Sequence, residues 1–429
     1  MQNTESIEIQ PAQQPIRAKV RPPGSKSITN RALVCAALAD GTSQLRGALD
    51  SEDTQVMIAG LKALGIDVTA RDDGQTLTVT GCAGTLPAKQ AQIFVENSGT
   101  TIRFLTAVAT LGDGQYTLDG IARMRERPIG DLAAALEQLG VKVTCTGEYA
   151  CPPVQVSAQG LNGGQVRIRG NISSQYLSGL MMAAPCAREA VSILVEGTLV
   201  SVPYVEMTQA VMHSFGVETK AAQDFSEITI QNAGHYQACE YDIEPDASAA
   251  SYFWAAAAVT GGELTVEGLS RHSLQGDVRF VNCLEQMGCQ VVWETNHVTV
   301  RGQALRGIDV DMNAISDTVQ TLAVVALFAS GTTKIRNVEH IRHKETDRIA
   351  AVATELRKLG AEVTEHQDGL EITPRSFTPA AIDTYNDHRM AMSFAVAGLA
   401  QPGVVINHPG CTVKTYPRFF EDLRGIIQA

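Results

Sequence analysis

Two hydrophobic patterns recur along the chain. The first is a run of about ten residues rich in Ala, Leu and Val, apolar on nearly every side, which predicts a buried helix. Each run follows small or polar residues suited to cap a helix start: "GSKSITNRAL", "NSGTTIRFL", "NISSQYLSGL", "PDASAASYF", "ISDTVQTLA" and "NDHRMAMSF". Most then turn at a glycine into a strand-like alternation such as "ELTVEG". The second pattern is a one-sided helix ending in an apolar residue and glycine before a strand, as in "MIAGLKALGIDVT", "DLAAALEQLGVKVT" and "ATELRKLGAEVT". Its glycines, Gly65, Gly140, Gly216, Gly288 and Gly360, fall where a helix ends in the left-handed conformation. A shortened sixth copy, "FFEDLRGI", carries Gly425.

Aligned on Ser25, Ser98, Ser173, Asp246, Asp317 and Asp387, the copies recur roughly every 70–75 residues. Six copies of one mixed α/β unit follow. Six buried helices with matching polar starts invite a parallel arrangement, their N-termini aimed at one place. Three copies per domain would give two similar domains facing across a cleft, and the helix dipoles would favour anions there.

Composition sharpens this. A chain of 429 residues exceeds one ordinary core. The net charge of −12 argues against a nucleic-acid partner. Nine cysteines, with no C-x-x-C pair, fit a reducing compartment rather than a disulfide framework. With no leader at the start and no apolar run of spanning length, the expectation is a cytoplasmic protein without membrane contact.

Candidate chemistry lies at or near the repeat starts. "RPPGSKSITNRAL" has the residues of a phosphate loop, but Ser25 separates Gly24 from Lys26, so the nucleotide-binding spacing fails. Free N–H groups with Lys26, Ser27 and Arg31 still suit an anion. Later starts add Asn97, Gly99, Thr100 and Arg103, then Ser173, Ser174 and Gln175, then Asp246, Asp317, Asp387, His388 and Arg389. Taken singly, each is more often a helix cap than a ligand, and the acids in particular make good caps. Between the starts, "RMRERP" alternates Arg123, Arg125 and Arg127; in an extended stretch all three would face one side. His340, Lys344 and Arg348 recur at helical spacing around Glu345, and Lys414 sits in a loop near the end. No cluster has metal-ligand spacing and no dinucleotide glycine pattern appears. The inventory asks for a metal-free reaction between two small anions.

The motifs "PGSKSITNRAL", "NSGTTIR", "RMRERPIGDL", "SSQYLS", "EPDASAASYF", "HKETDR", "YNDHRMAM" and "CTVKTYP", in this order, resemble the 5-enolpyruvylshikimate-3-phosphate synthase family over essentially the whole chain. The resemblance implies a two-domain inside-out α/β barrel of six βαβαββ-type subdomains, three per domain. Residues 24–242 would form one domain and 1–23 with 243–429 the other, with the active site in the cleft and the linkers acting as a hinge. It also implies a monomer without cofactor or metal, whose partners are shikimate 3-phosphate and phosphoenolpyruvate. The implied reaction moves the enolpyruvyl group to the 5-hydroxyl of shikimate 3-phosphate, releasing phosphate, on the way to chorismate and the aromatic amino acids.

By motif match, Glu345, Asp317 and Lys26 are the candidates for proton transfer. Ser27, Arg31, Ser173, Ser174, Ser201, Tyr204, His340 and Lys344 would hold shikimate 3-phosphate together with Lys26 and Asp317. Lys26, Gly99, Arg127, Gln175, Arg348, Arg389 and Lys414 would hold phosphoenolpyruvate. Glyphosate competes with phosphoenolpyruvate in this family, and a methyl at Gly99 is expected to weaken inhibition more than substrate affinity. Several residues depart from the family pattern: Ser98, Thr101, Ile102, Phe104 in place of proline, Val202 in place of lysine, and His340 in place of asparagine. The sister transferase acting on UDP-N-acetylglucosamine is the rival enzyme, but it uses a loop cysteine and the comparable loop here, "IARMRERPIGDL", has none. A non-catalytic, anion-binding repeat paralogue is the other alternative.

Overall fold

Local capping chemistry decides where most of the all-round apolar helices begin. In this computed structural model, which describes residues 5–428, they span Lys26–Ala37, Gly99–Ala109, Ser174–Ala183, Ala247–Thr260, Val319–Val325 and His388–Ala400. The side chains of Ser25, Ser98, Ser173, Asp246 and Asp387 accept from the N–H groups of Ile28, Thr101, Gln175, Ala249 and Arg389, at 3.4, 3.2, 3.3, 2.8 and 2.9 Å. These bonds satisfy donors that helix geometry leaves open. The fifth start differs. Asp317 lies in a 3₁₀ segment, Asn313–Thr318, and the cap residue of the helix is Thr318 rather than this aspartate.

Gly65, Gly140, Gly216 and Gly360 follow the caps of the one-sided helices with φ of +86°, +87°, +81° and +94°, and Gly288 is itself a cap at +118°. A side chain is strained in that conformation. Gly425 does not join them. It lies inside the helix Phe419–Gln428.

The strands form mixed sheets, and five four-stranded sheets share one pattern: a parallel pair continued by two antiparallel strands. Two of them are completed by distant chain. Glu240–Asp242 pairs parallel with Thr42–Arg46, and Arg17–Val20 pairs parallel with Glu263–Glu267, Arg17 opposite Glu263. Ser6–Glu8 adds an antiparallel strand to Val404–Asn407.

The chain divides into two units, Gly24–Ile243 and Met1–Pro23 with Glu244–Ala429. Each has its own hydrophobic core. In Ala247–Thr260 every residue up to Ala258 is buried. Aromatic side chains such as Phe253 there contribute about 1.5–3 kcal/mol each by leaving water. Where the chain enters and leaves Gly24–Ile243, backbone meets backbone. A Cβ on Gly24 would strike the Gly47 carbonyl, and one on Gly47, at φ +69°, would lie 2.9 Å from the Ile243 oxygen. In the other unit, the Asp246 N–H donates to the Pro23 carbonyl at 2.8 Å. Among the described residues, no helix is long and apolar enough to cross a membrane.

Candidate active site

In the Gly24–Ile243 unit, the helices starting at Lys26, Gly99 and Ser174 bring guanidinium groups into their shared interior. Arg31 is buried; its Nε donates to Thr208 Oγ1 at 2.7 Å, and its terminal nitrogens reach the Ser27 and Tyr204 carbonyls and Ser178 Oγ at 2.9, 3.1 and 3.2 Å. Its guanidinium carbon lies 5.3 Å from the Phe104 ring centroid and 5.8 Å from that of Tyr204. Burial pushes its pKa down to about 10, so it stays charged at neutral pH. Lys26 Nζ lies 3.8 Å from Asp53 Oδ2, a carboxylate in the first turn of Glu52–Ala63.

Arg103 Nη1 donates to Gln175 Oε1 at 2.7 Å, and Gln175 Nε2 donates to Thr100 Oγ1 at 3.3 Å. Arg127 Nη1 donates to the Asn97 carbonyl and side chain at 3.0 and 3.2 Å. Gly99 fits between these arginines: a Cβ there would collide with Arg127 Nη2 and lie 2.6 Å from Arg103 Nη1. Ser201, left-handed at φ +54°, precedes the helix that carries Tyr204. Ser173 and Ser174 open the helix that carries Gln175.

The second unit gathers charge of both signs. Arg348, 1% exposed, is shared by three carboxylates: Nε to Asp387 Oδ2 at 2.7 Å, Nη2 to Glu345 Oε2 at 2.8 Å, and Nη1 to Asp317 Oδ1 at 3.1 Å. Arg389 Nη2 donates to Asp317 Oδ2 at 2.8 Å, and Lys344 Nζ stands 3.6 Å from Asp317 Oδ1. Lys414 Nζ stands 3.3 Å from Glu345 Oε1. Burial alone would depress the Arg348 pKa, but the charges of Asp387, Glu345 and Asp317 more than offset it and push it up. Arg348, Arg389, Lys344 and Lys414 are the cationic groups here that can hold an added anion. His340 is buried nearby; burial first, then the Lys344 charge, push its pKa down to about 3, so it is neutral.

Three features differ from the sequence reading. Asp317 is not a helix cap, because Arg348, Arg389 and Lys344 engage its carboxylate instead. Arg123, Arg125 and Arg127 do not line one extended face. Met124–Glu126 is a 3₁₀ turn ahead of Pro128, so Arg125 pairs with Asp119, Arg123 pairs with Glu126, and Arg127 turns inward. His340, Lys344 and Arg348 do not share a helix: Glu339–His343 is a 3₁₀ turn and the helix opens only at Arg348, capped by Asp347.

The sequence reading also missed residues. Asp277 is buried, accepts from Ser248 Oγ, and is pushed up to about 6 by burial and then by the Asp317 charge. It lies in "LQGDVRF", where nothing local marks it. Asp53 and Thr208 reach their partners only through tertiary packing. Arg103 was visible at a repeat start, but its hold on Gln175 was not. All nine cysteines are free thiols.

A family model described as EPSP synthase (3-phosphoshikimate 1-carboxyvinyltransferase) matches residues 11–423. The chain belongs to the EPSP synthase family. A 3-phosphoshikimate 1-carboxyvinyltransferase from Nostoc sp. is 51% identical over 97% of this chain and 98% of its own, and one from Shewanella oneidensis is 47% identical over 96% and 97%. Among solved structures, an EPSP synthase from Acinetobacter baumannii superposes with a TM-score of 0.83 at 25% identity, covering 99% of this chain and 98% of its own. The enolpyruvyl transferase NikO from Streptomyces tendae, at 18% identity, shares the fold with a TM-score of 0.78 over 98% of this chain and 97% of its own. Within the EPSP synthase family, the Phe104 departure acquires a physical reading. The helix Gly99–Ala109 runs through it, and the ring packs beside the Arg31 guanidinium.

Proposed function

We propose that this EPSP synthase family member transfers the enolpyruvyl group of phosphoenolpyruvate to the 5-hydroxyl of shikimate 3-phosphate and releases phosphate. The observation that carries the reading is the placement of Asp317 and Glu345, two carboxylates oriented by Arg348 and flanked by Arg389, Lys344 and Lys414. Such fixed charges need no reorganisation as the reaction proceeds. Glu345 delivers a proton to the methylene carbon of phosphoenolpyruvate, and the adjacent carbon becomes electrophilic. Asp317 orients the 5-hydroxyl and takes its proton as the oxygen attacks, with Lys26 as the alternative carrier. The resulting tetrahedral adduct loses phosphate from the central carbon and returns a proton from its new methyl group to the Glu345 carboxylate, which restores the vinyl ether.

Arg348, Arg389, Lys414, Lys26, Arg127, Gln175 and the Gly99 backbone bind phosphoenolpyruvate in this reading. Ser27, Arg31, Ser173, Ser174, Ser201, Tyr204, His340 and Lys344 bind shikimate 3-phosphate. Both sets act on the same pair of substrates, in a monomeric cytoplasmic enzyme built as an inside-out barrel of six subdomains. Phosphate release tests the assignment. It should occur with phosphoenolpyruvate and shikimate 3-phosphate and not with UDP-N-acetylglucosamine; the reverse preference would overturn it.

A further inference from the structure

The helix Arg348–Lys358 grips the segment leading into His388–Ala400 at two points, about two turns apart. At its start, Arg348 bonds Asp387. Two turns on, Glu355, fully buried, accepts from the Asp383 N–H at 3.1 Å and from the Tyr385 hydroxyl at 2.6 Å. Lys358 Nζ bridges this carboxylate and Asp383, at 2.9 and 2.7 Å. Between the two grips, Tyr385 and Asn386 are consecutive non-glycine residues in the left-handed region, at φ +52° and +53°. Asn386 tolerates that conformation, but for the bulky Tyr385 it is disfavoured and persists only where surrounding contacts over-determine it. It turns the chain so that Asp387 caps the next helix and Arg389 reaches Asp317.

We propose that Glu355 is a positioning residue for the reaction: by locking the Asp383–Asn386 turn it sets the placement of Asp387 and Arg389. The proposal rests on the reading of Arg389 as a clamp for phosphoenolpyruvate. Burial, then the hydrogen bond to Glu355, push the Tyr385 phenol up to about 12, so it remains a donor throughout the working range. Glu355 touches no proposed substrate contact, and its effect passes through the turn.

Tyr385→Phe removes one bond from a half-exposed ring and should leave folding intact. Glu355→Met fills the buried space without either acceptor. Both should raise KM for phosphoenolpyruvate about tenfold, in keeping with the sensitivity of catalysis to small misplacements, while KM for shikimate 3-phosphate stays unchanged. Amide hydrogen exchange at residues 383–389 should quicken in the same variants. Glu355→Gln should recover most of the loss, since its oxygen can accept from Asp383 and its amide can donate to the Tyr385 oxygen. Unchanged exchange in Tyr385→Phe, or equal movement of both KM values, overturns the proposal, and Tyr385→Phe decides it even if Glu355→Met does not fold. A wild-type enzyme inactive with both substrates would sink the functional reading instead, while the exchange measurement still judges the turn.

Discussion

At the scale of single residues, Glu345→Gln keeps size and polarity but removes an ionisable proton carrier. Turnover should fall by roughly 10²–10⁴, the range for general acid–base groups, with little change in shikimate 3-phosphate affinity. Arg31→Ala should do the opposite, weakening shikimate 3-phosphate binding through lost charge-assisted bonds. Steady-state kinetics beside equilibrium binding separates the two. His340 bears on stability rather than chemistry. Its folded pKa is about 3 against an ordinary 6.5, so below pH 6.5 the unfolded chain takes up a proton that the folded one refuses. Stability is therefore lost as pH falls from 6.5 toward 3, by up to about 1.4 kcal/mol per pH unit. Asp277 works against this between its ordinary 3.8 and about 6, where the folded state holds the extra proton. His340→Asn should retain more stability at pH 5 than the parent, relative to each protein at pH 7, in urea unfolding. Equal losses in both would remove His340 from the account.

At the scale of elements, the start of Gly99–Ala109 is tightly constrained. A methyl on Gly99 meets the Arg127 and Arg103 guanidiniums before it meets any ligand, and both are buried and hydrogen-bonded. Gly99→Ala should therefore weaken glyphosate inhibition and also raise KM for phosphoenolpyruvate by displacing Arg127. Inhibition measured against varied phosphoenolpyruvate checks both, and an unchanged KM would show that Arg127 moves aside freely. Helix starts with local caps, such as Ser25, Ser98 and Asp387, were legible because the cap bond spans only two or three residues. Asp317 was not, since residues 31 and 72 positions further along the chain claim its carboxylate. Alternation misled at Arg123–Arg127, where Pro128 and the 3₁₀ turn replace an extended strand. The arginine that mattered was legible only as one of three.

At the scale of the whole molecule, the periodic pattern exposed the mixed α/β plan, because helix caps and glycine turns recur at most of its positions. The closing strands were not legible: nothing local in Arg17–Val20 names Glu263–Glu267 as its partner. The close backbone packing of Gly24, Gly47 and Ile243 has a further consequence. Residues 24–243 begin and end at neighbouring points, so this stretch is an insertion whose excision strands no element. Produced alone, it should unfold in one cooperative transition, and a scattered or non-cooperative melt would count against that. The remainder should close with a linker of only a few residues, since Pro23 and Asp246 already share a hydrogen bond and short loops cost little entropy. The same seam offers a place to open the chain into a circular permutant.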